Sequence, residues 1–330
     1  MASSEPRPSG RILVTGATGQ IGSELVPELR KRYGRDNVIA TGHLRRPTRE
    51  LEDSGPFFNL DLMDQGTVSE TMKREGISQV YHLAAILSAV GEAKPKEAWD
   101  VNMTSLRNVL EACRDSNIER VFWPSSIAAF GPTSPRSRTP QDTVLQPTSM
   151  YGITKVAGEM LCNYYFIKYG LDTRSVRYPG IISSETAPGG GTTDYAVAIF
   201  YDAIQKGHYS CFVREDTVLP MLYMPDCINA AIRLMETPAD RVRRHDGYNL
   251  AGMSFSAGEL ARSIAKHMPD FTVEYRPDSR QQIADSWPMS LDDTEAKNDW
   301  GWRAEYDLEA MTEDMLSRLK QRMNIGPITG

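Results

Sequence analysis

Apolar residues along this chain alternate between short continuous runs and longer stretches with helical spacing. The short runs predict strands at residues 11–14, 37–41, 57–61, 79–85, 120–126 and 173–177. Between them, apolar residues three and four apart predict helices at residues 21–33, 63–75, 99–115 and 150–169. Short strands that are apolar throughout are typical of a parallel sheet covered on both faces. The alternation therefore predicts an α/β fold, a Rossmann-like doubly wound parallel sheet.

The regular alternation stops after residue 182, and a glycine-rich loop follows at residues 183–191. The later apolar runs predict helices at 192–206, 226–236, 256–268, 291–298 and 308–323, and strands at 222–224, 248–250 and 271–275. We expect the first two of these strands to return to the sheet. This pattern predicts a Rossmann domain of residues 10–182 with 217–252, and a smaller C-terminal lobe of residues 183–216 with 253–330.

The sequence TGATGQIG, residues 15–22, lies between the first predicted strand and the first predicted helix. Its glycines, Gly16, Gly19 and Gly22, allow a tight turn and let a ligand approach the backbone closely. The N-terminus of the helix then offers unpaired N–H groups to an anion. A strand, a glycine turn and a helix in this order predict a dinucleotide site with the pyrophosphate at the turn.

The end of the second predicted strand bears on the choice between NAD and NADP. Dinucleotide folds place an acid there, roughly 20 residues past the glycines, when they bind the 2′-hydroxyl of NAD. Here Gly42 and His43 occupy that place, with Arg45 and Arg46 just beyond. The two arginines are suited to a 2′-phosphate, but the solvated charges of a loop are the more ordinary interpretation. The residues by themselves leave NAD and NADP open.

Tyr151 and Lys155 are the pair best suited to catalysis. Residues four apart share one face of a helix, so Lys155 lies one turn beyond Tyr151. Removing a proton from a hydroxyl requires a base, and a nearby ammonium lowers the pKa of a phenol. Ser126, 25 residues before Tyr151, is suited to hold the substrate hydroxyl, and the adjacent Ser125 is a competing candidate.

The same four-residue spacing recurs at Tyr164 and Lys168 on the same predicted helix. Tyr164 follows Tyr151 by 13 residues. That separation places it roughly 20 Å along the helix and rotates it by about 220°. The two tyrosines therefore cannot face one site, and we expect Tyr164 to pack in the core.

The composition of the chain limits which kinds of molecule we expect it to bind. The 330 residues are 40% hydrophobic and 24% charged, with a net charge of −6 and no basic face, so nucleic acid is not an expected partner. No apolar run reaches the roughly 20 residues of a membrane span. The cysteines Cys113, Cys162, Cys211 and Cys227 are far apart, which favours a reduced compartment and no metal site. We expect a bacterial protein of this kind in the cytoplasm and a eukaryotic one in the mitochondrial matrix.

The motifs TGATGQIG, YHLAA, PSSIAAFG and YGITK together resemble the extended short-chain dehydrogenases/reductases. The resemblance implies NAD as cofactor, Tyr151 as general base, Lys155 as the residue that tunes it, and Ser126 as a ligand of the substrate hydroxyl. It implies a cofactor site formed by Gly16, Thr18, Gly19, Gln20, Ile21, Gly22, Asp61, Leu62, Leu83, Ala84, Ala85, Asn102, Tyr151, Lys155, Tyr178 and Ile181. Asp61 is equally suited to cap the helix that follows it.

Residues 189–204 and 283–302 are similar to the short-chain type of L-threonine 3-dehydrogenase. That similarity implies oxidation of the threonine hydroxyl by NAD to 2-amino-3-oxobutyrate, on the route to glycine and acetyl-CoA. It implies a substrate site formed by Ser88, Ser126, Tyr151, Thr192, Thr193, Asp194 and Trp287. Thr192, Thr193 and Asp194 are also suited to capping a helix, and Trp287 to packing in the smaller lobe.

Two other functions stay open at this point. An NAD(P)-dependent epimerase or reductase acting on a sugar nucleotide needs a basic pocket for a diphosphate, for which Arg214 is the main candidate. A non-catalytic protein that senses nucleotides would have no need for Ser126, Tyr151 and Lys155. The superfamily also implies a homodimer through helices 99–115 and 150–169, with Leu161, Tyr165 and Phe166 as possible contacts.

Overall fold

The computed structural model describes residues 8–189 and 191–323. Its strands, in chain order, are β1 (Arg11–Thr15), β2 (Val38–Gly42), β3 (Phe57–Asn59), β4 (Ile77–His82), β5 (Arg120–Phe122), β6 (Ser125–Ser126), β7 (Thr173–Arg174), β8 (Val176–Tyr178), β9 (Gly180–Ile182), β10 (His208–Cys211), β11 (Val218–Tyr223), β12 (Tyr248–Asn249), β13 (Met253–Ser256) and β14 (Thr272–Tyr275). Its α-helices are α1 (Gln20–Tyr33), α2 (Arg49–Asp53), α3 (Gln65–Arg74), α4 (Ser88–Ala93), α5 (Pro95–Asp115), α6 (Met150–Tyr169), α7 (Tyr195–Lys206), α8 (Met224–Glu236), α9 (Ala257–His267), α10 (Arg280–Ser286), α11 (Thr294–Trp300) and α12 (Leu308–Arg322).

A parallel sheet of six strands, in the order β3-β2-β1-β4-β5-β7, confirms the predicted fold class. The order reverses between β1 and β4, and ligands of such sheets bind in the crevice at this reversal. Side chains of β1 alternate between the two faces, with Ile12 and Val14 in one buried cluster and Leu13 in another. This alternation explains why the strand is apolar throughout, since both faces of the sheet are covered.

Two predicted strands are each divided in two. Residues 120–126 form β5 and β6, and residues 173–177 form β7 and the start of β8. Pro124 lies at the first break, where it has no N–H to donate to a neighbouring strand. Beyond the breaks, β6 and β8 pair with each other, and β8 pairs with β12. The prediction that residues 222–224 and 248–250 return to the six-stranded sheet is wrong. Residues 248–249 form β12, which pairs with β8 in a second sheet, and residues 222–223 end β11, which pairs with β9 in a third, while Met224 begins α8.

Several predicted boundaries are wrong by a few residues. Strand β4 ends at His82, so residues 83–85 form a loop beyond the sheet. Helix α3 begins at Gln65 because the Asp64 carboxylate caps it, accepting the Thr67 N–H at 3.2 Å. Helix α7 begins at Tyr195, three residues after the prediction. The short helices α2, α4 and α10 were not predicted, since five to seven residues are too few for a clear helical period.

A third buried cluster lies apart from the two that cover the sheet. It contains residues of α7, α9 and α12 together with Trp287 and Leu291, and Tyr151 packs against it. The helix that carries Tyr151 therefore borders both the sheet and the C-terminal lobe.

None of the helices in the described ranges is long and apolar enough to cross a bilayer. On α6, the expected dimer contact Tyr165 is buried, Leu161 is half-buried, and Phe166 is partly exposed and stacked on His245. The same helix exposes an apolar stripe that contains Ile153, Met160, Tyr164 and Ile167. The homodimer stays a prediction, which light scattering after size-exclusion chromatography tests.

Candidate active site

The glycine turn packs directly against the loop that follows β4. Gly16 has φ +69°, and a Cβ atom there would lie 2.6 Å from the Ala84 backbone nitrogen. A Cβ atom at Gly22 would lie 2.4 Å from the Gly16 carbonyl oxygen. Because neither space admits a side chain, the two glycines hold the start of α1 close to the residues beyond β4.

The N-terminus of α1 is open to an anionic ligand. Gly19 is its N-cap and provides no side-chain cap, and no acidic residue lies in the first turn. Thr18 and Gly19 line a groove of about 1200 Å³ that continues past Arg45 and Arg46. A helix end with no side-chain cap and no acid in its first turn fits the pyrophosphate of a dinucleotide. In the same turn, Gln20 and Ile21 are half-buried.

Asn102 joins the loop beyond β4 to the catalytic helix. Its Oδ1 accepts the Ile86 N–H at 2.7 Å, and its Nδ2 donates to the Ile86 carbonyl at 3.0 Å. Nδ2 also lies 3.3 Å from the Thr154 hydroxyl, which donates to the Tyr151 carbonyl at 2.8 Å. The Asn102 amide is therefore used within the protein. It fixes the loop that contains Leu83, Ala84 and Ala85 relative to α6.

Asp61 and Leu62 lie at the far end of the sheet, after β3. The Asp61 side chain is exposed and accepts the Met63 N–H at 2.9 Å. Since Asp64 caps α3, the interpretation of Asp61 as the cap of this helix is wrong, and Asp61 closes a turn ahead of it. Asn108 holds this turn by donating to the Leu62 carbonyl at 2.9 Å. Sequence reasoning missed Asn108.

Two expected cofactor residues lie inside strands. Tyr178 is 4% exposed, and its hydroxyl donates to the Cys227 carbonyl at 2.8 Å. Ile181 is half-buried and pairs with Leu222 in the neighbouring strand. The Tyr178 hydroxyl is thus already bonded, so any contact of this residue with a cofactor must come through its ring or backbone.

Tyr151, Lys155 and Ser126 come together as predicted from the sequence. Ser149 caps α6 and accepts the Gly152 N–H at 3.1 Å, so Tyr151 lies in the first turn. Lys155 Nζ lies 5.3 Å from the centre of the Tyr151 ring and donates to the Pro124 carbonyl at 2.6 Å. Ser126 accepts the Ala128 N–H at 3.2 Å, and its hydroxyl acts on the Tyr151 phenol by lowering the pKa of that phenol.

Burial shifts the pKa values of both Tyr151 and Lys155 in this site. Burial raises the pKa of Tyr151 to about 12, and the Ser126 hydroxyl offsets this only in part. Burial lowers the pKa of Lys155 to about 7, while Cys162 and Glu159 act in the opposite direction. The expected lowering of the Tyr151 pKa is therefore absent in the protein alone. The Lys155 ammonium is directed at Pro124, and desolvation outweighs its attraction for a phenolate.

Replacing Lys155 with methionine is expected to reduce the pH dependence of stability. The unfolded chain keeps a lysine proton up to about pH 10.4, whereas the folded protein releases this one near pH 7. Between these values the unfolded state binds more protons, so Lys155 makes the free energy of unfolding rise with pH. Relative to the wild type, Lys155→Met should gain most stability below about pH 7 and progressively less up to about pH 10. Chemical denaturation across this range measures the difference.

Lys168→Met is the matched control on the same helix. Lys168 is exposed, and its bond to the Tyr164 hydroxyl raises its pKa, so it stays charged in both states over this range. Its replacement should leave the slope of stability against pH unchanged. Parallel curves for wild type and Lys155→Met would show that Lys155 does not titrate near neutrality.

The second tyrosine and lysine pair lies on the outer surface. Tyr164 is 46% exposed, so the expectation that it packs in the core is wrong. Lys168 Nζ donates to the Tyr164 hydroxyl at 2.7 Å. The rotation along the helix, which argued against a shared site, turns this side chain toward solvent. The structure thus separates the two pairs as the helical geometry predicts.

A buried ion pair behind Lys155 was missed by sequence reasoning. Glu159 is 0% exposed and receives two bonds from the Arg177 guanidinium, at 2.9 Å and 2.8 Å. The Ser125 hydroxyl donates to the same carboxylate at 2.5 Å, so Ser125 faces away from Tyr151. This bond favours Ser126 over Ser125 as the substrate ligand. The only sequence signal for Glu159 was its position four residues after Lys155, on the same face of the helix.

Two of the expected substrate residues lie on elements that contact the start of α6 or Tyr151. Ser88 opens α4, which is fastened to the start of α6 because Glu92 accepts the Met150 N–H at 2.6 Å. Trp287 is 6% exposed in the cluster against which Tyr151 packs. The packing interpretation of Trp287 therefore agrees with its burial.

The residues before α7 order the glycine-rich loop. Asp194 is the N-cap of α7 but its side chain does not cap the helix. Its Oδ2 instead accepts the N–H groups of Gly189 and Gly191, at 2.6 Å and 2.8 Å. Thr193 packs against Gly180, where a Cβ atom would lie 2.7 Å from its methyl group, and Thr192 is 3% exposed. The helix-capping interpretation of Asp194 is wrong.

Comparison with known proteins agrees with this geometry. The model of the NAD dependent epimerase/dehydratase family matches residues 12–251. An uncharacterised epimerase/dehydratase of Staphylococcus haemolyticus is 47% identical over 314 residues, which cover 94% of this chain and 98% of that protein.

Solved structures give closer likenesses. The GalE-like L-threonine dehydrogenase of Cupriavidus necator, in its holo form, is 53% identical with a TM-score of 0.91, and the match covers 94% of this chain and 100% of that one. The L-threonine dehydrogenase of Clostridium difficile is 48% identical with a TM-score of 0.93, covering 97% and 100%. Since the family match includes the glycine turn, Ser126, Tyr151 and Lys155, this chain belongs to the NAD dependent epimerase/dehydratase family.

Proposed function

We propose that this protein oxidises L-threonine at its β-hydroxyl, with NAD as the hydride acceptor, and forms L-2-amino-3-oxobutyrate. The observation that carries the proposal is the meeting of Tyr151, Lys155 and Ser126. Asn102 joins their helix to the loop that packs on the glycine turn, and Tyr151 packs against the cluster that contains Trp287. Two solved L-threonine dehydrogenases about half identical to this chain support the substrate.

Each residue has a defined part in this reaction. The Ser126 hydroxyl bonds the substrate oxygen and holds it beside the Tyr151 phenol. Tyr151, in its phenolate form, takes the hydroxyl proton on Oη as the C–H bond at the β-carbon breaks. A nicotinamide bound at this site would supply the hydride acceptor and a positive charge. Such a charge would favour the phenolate form of Tyr151 against the burial that raises its pKa to about 12.

Lys155 acts in the same step by stabilising negative charge on Tyr151. Its ammonium is fixed by the Pro124 carbonyl and lies 4.4 Å from the centre of the Trp123 ring. When Lys155 carries its proton, this fixed cation costs little reorganisation as negative charge develops on Tyr151. The shared environment also links their titrations, because a phenolate on Tyr151 would raise the pKa of Lys155.

The residues around Tyr151 suit a small zwitterion. Asp194 has no ion-pair partner in the described part of the chain and can accept the substrate ammonium, while Ser88, Thr192 and Thr193 can donate to the carboxylate. Arg214, which a sugar diphosphate would need, is already paired with Asp285 at 2.8 Å. This pairing favours an amino acid over a sugar nucleotide.

The test is an assay of the full chain with L-threonine and NAD between about pH 7 and 9, followed by the absorbance of the reduced nicotinamide. We expect reduction with L-threonine and none with UDP-glucose. Turnover of the sugar nucleotide, or none with threonine despite dinucleotide binding, would contradict the proposal.

A further inference from the structure

The end of β2 lacks the acidic side chain that usually meets the adenosine ribose of NAD, and its surroundings are tight for one. The strand ends at Gly42. A Cβ atom there would lie 3.0 Å from the Thr18 methyl group and 3.2 Å from the Phe57 ring. An aspartate or glutamate at this position would therefore press on both side chains. The ribose 2′-hydroxyl lacks the carboxylate partner that favours NAD in dinucleotide folds.

Two arginines lie where the acid is missing. Arg45 and Arg46 are exposed and line the groove that begins at Thr18 and Gly19. Arg45 Nη1 donates to the Thr18 carbonyl at 3.2 Å, which holds its guanidinium against the glycine turn. Dinucleotide folds accommodate a 2′-phosphate with an arginine close to the end of the second strand.

Within the described residues, the acidic side chains of the groove do not pair with the guanidinium groups of Arg45 and Arg46, which stay available to an anionic ligand. Other basic side chains that line it have acidic partners: Lys31 with Glu28 at 3.6 Å, Arg32 with Glu236 at 2.6 Å and Arg322 with Glu185 at 3.4 Å. Within residues 8–189 and 191–323, neither Arg45 nor Arg46 forms an ion pair. Glu50, in the first turn of α2, lines the same groove and also forms no ion pair in the described part of the chain.

We propose that Arg45 and Arg46 form a binding site for the 2′-phosphate of an adenosine nucleotide, so that the protein accepts NADP as well as NAD. This inference depends on the proposed function in one respect only, since both require a dinucleotide site at the glycine turn. A dianionic phosphate gains charge-assisted hydrogen bonds from two guanidinium groups, and these bonds are stronger than those of neutral partners.

The experiment is calorimetric titration of the full chain with two nucleotides that differ only in the 2′-phosphate. Adenosine 2′,5′-bisphosphate should bind the wild type at least as tightly as adenosine 5′-monophosphate does. The double variant Arg45→Ala, Arg46→Ala should weaken binding of the bisphosphate by about tenfold or more, and binding of the monophosphate by less than about twofold. NADP and NAD should show the same contrast.

Arg49→Ala is the control for nearby positive charge, because Arg49 is exposed at the start of α2 but does not line the groove, and its replacement removes one positive charge. It should leave both affinities within about twofold of the wild type. Weaker binding of the bisphosphate than of the monophosphate to the wild type would overturn the proposal, as would equal losses for both nucleotides in the double variant. No threonine is present in these titrations, so a protein that binds the bisphosphate but fails to oxidise threonine would refute the proposed function alone.

Discussion

Tyr151→Phe is expected to lower the turnover of L-threonine by about a hundredfold to ten-thousandfold, because it removes the atom that takes the substrate proton. Only the phenol oxygen is lost, so the ring still packs against the lobe cluster. The glycine turn and the N-terminus of α1 are untouched. We therefore expect the affinity for NAD, measured by calorimetric titration, to change by less than about threefold.

The chain provides its own control for this experiment. Tyr164→Phe makes the same chemical change on the same helix, but at a side chain that is 46% exposed and bonded to Lys168. Its turnover should stay within about twofold of the wild type. Substantial turnover by Tyr151→Phe, or loss of turnover in Tyr164→Phe, would show that Tyr151 is not the base.

Glu159→Ala is expected to reduce the free energy of unfolding by about 3–5 kcal/mol, because it leaves the Arg177 guanidinium buried without its counter-charge. Arg177 is 2% exposed, so water cannot replace the carboxylate. The guanidinium keeps its bonds to the Gln141 carbonyl at 3.0 Å and Asn249 Oδ1 at 3.1 Å, but neither partner carries a charge. Chemical denaturation near neutral pH measures the loss.

Glu309→Ala is a suitable comparison, since it removes a carboxylate whose pair with Lys266 is solvent-exposed, with side chains 64% and 48% accessible. An exposed pair of this kind contributes about 0–1 kcal/mol. If the two variants lost the same stability, the buried pair would contribute no more than a surface pair. The Glu159 variant should also lose turnover, because the Ser125 hydroxyl that Glu159 holds is next to Ser126.

Most of the fold and part of the site could be predicted from local patterns. The period of apolar residues located the strands of the main sheet and helices α1, α5 and α6. The helical rotation between Tyr151 and Tyr164 separated the two similar pairs. Helices α2, α4 and α10 could not be found in this way, because each spans only five to seven residues.

Contacts between distant segments could not be predicted. Nothing near Asn102 in the sequence indicates its bonds to Ile86 and Thr154, and nothing near Glu159 indicates Arg177. The pKa of Tyr151 depends on how completely the fold removes water from the phenol. That quantity is a property of the packed protein, and here it outweighs the nearby lysine.

The sequence by itself determined the α/β class, the glycine turn ahead of α1 and the shared face of Tyr151 and Lys155. Each of these follows from the backbone geometry of a few consecutive residues. The tertiary structure alone decided that Ser125 turns to Glu159, that Tyr164 faces solvent and that Gly42 meets Thr18 and Phe57. These outcomes depend on which segments become neighbours, because desolvation and close packing act between residues that are far apart in the chain.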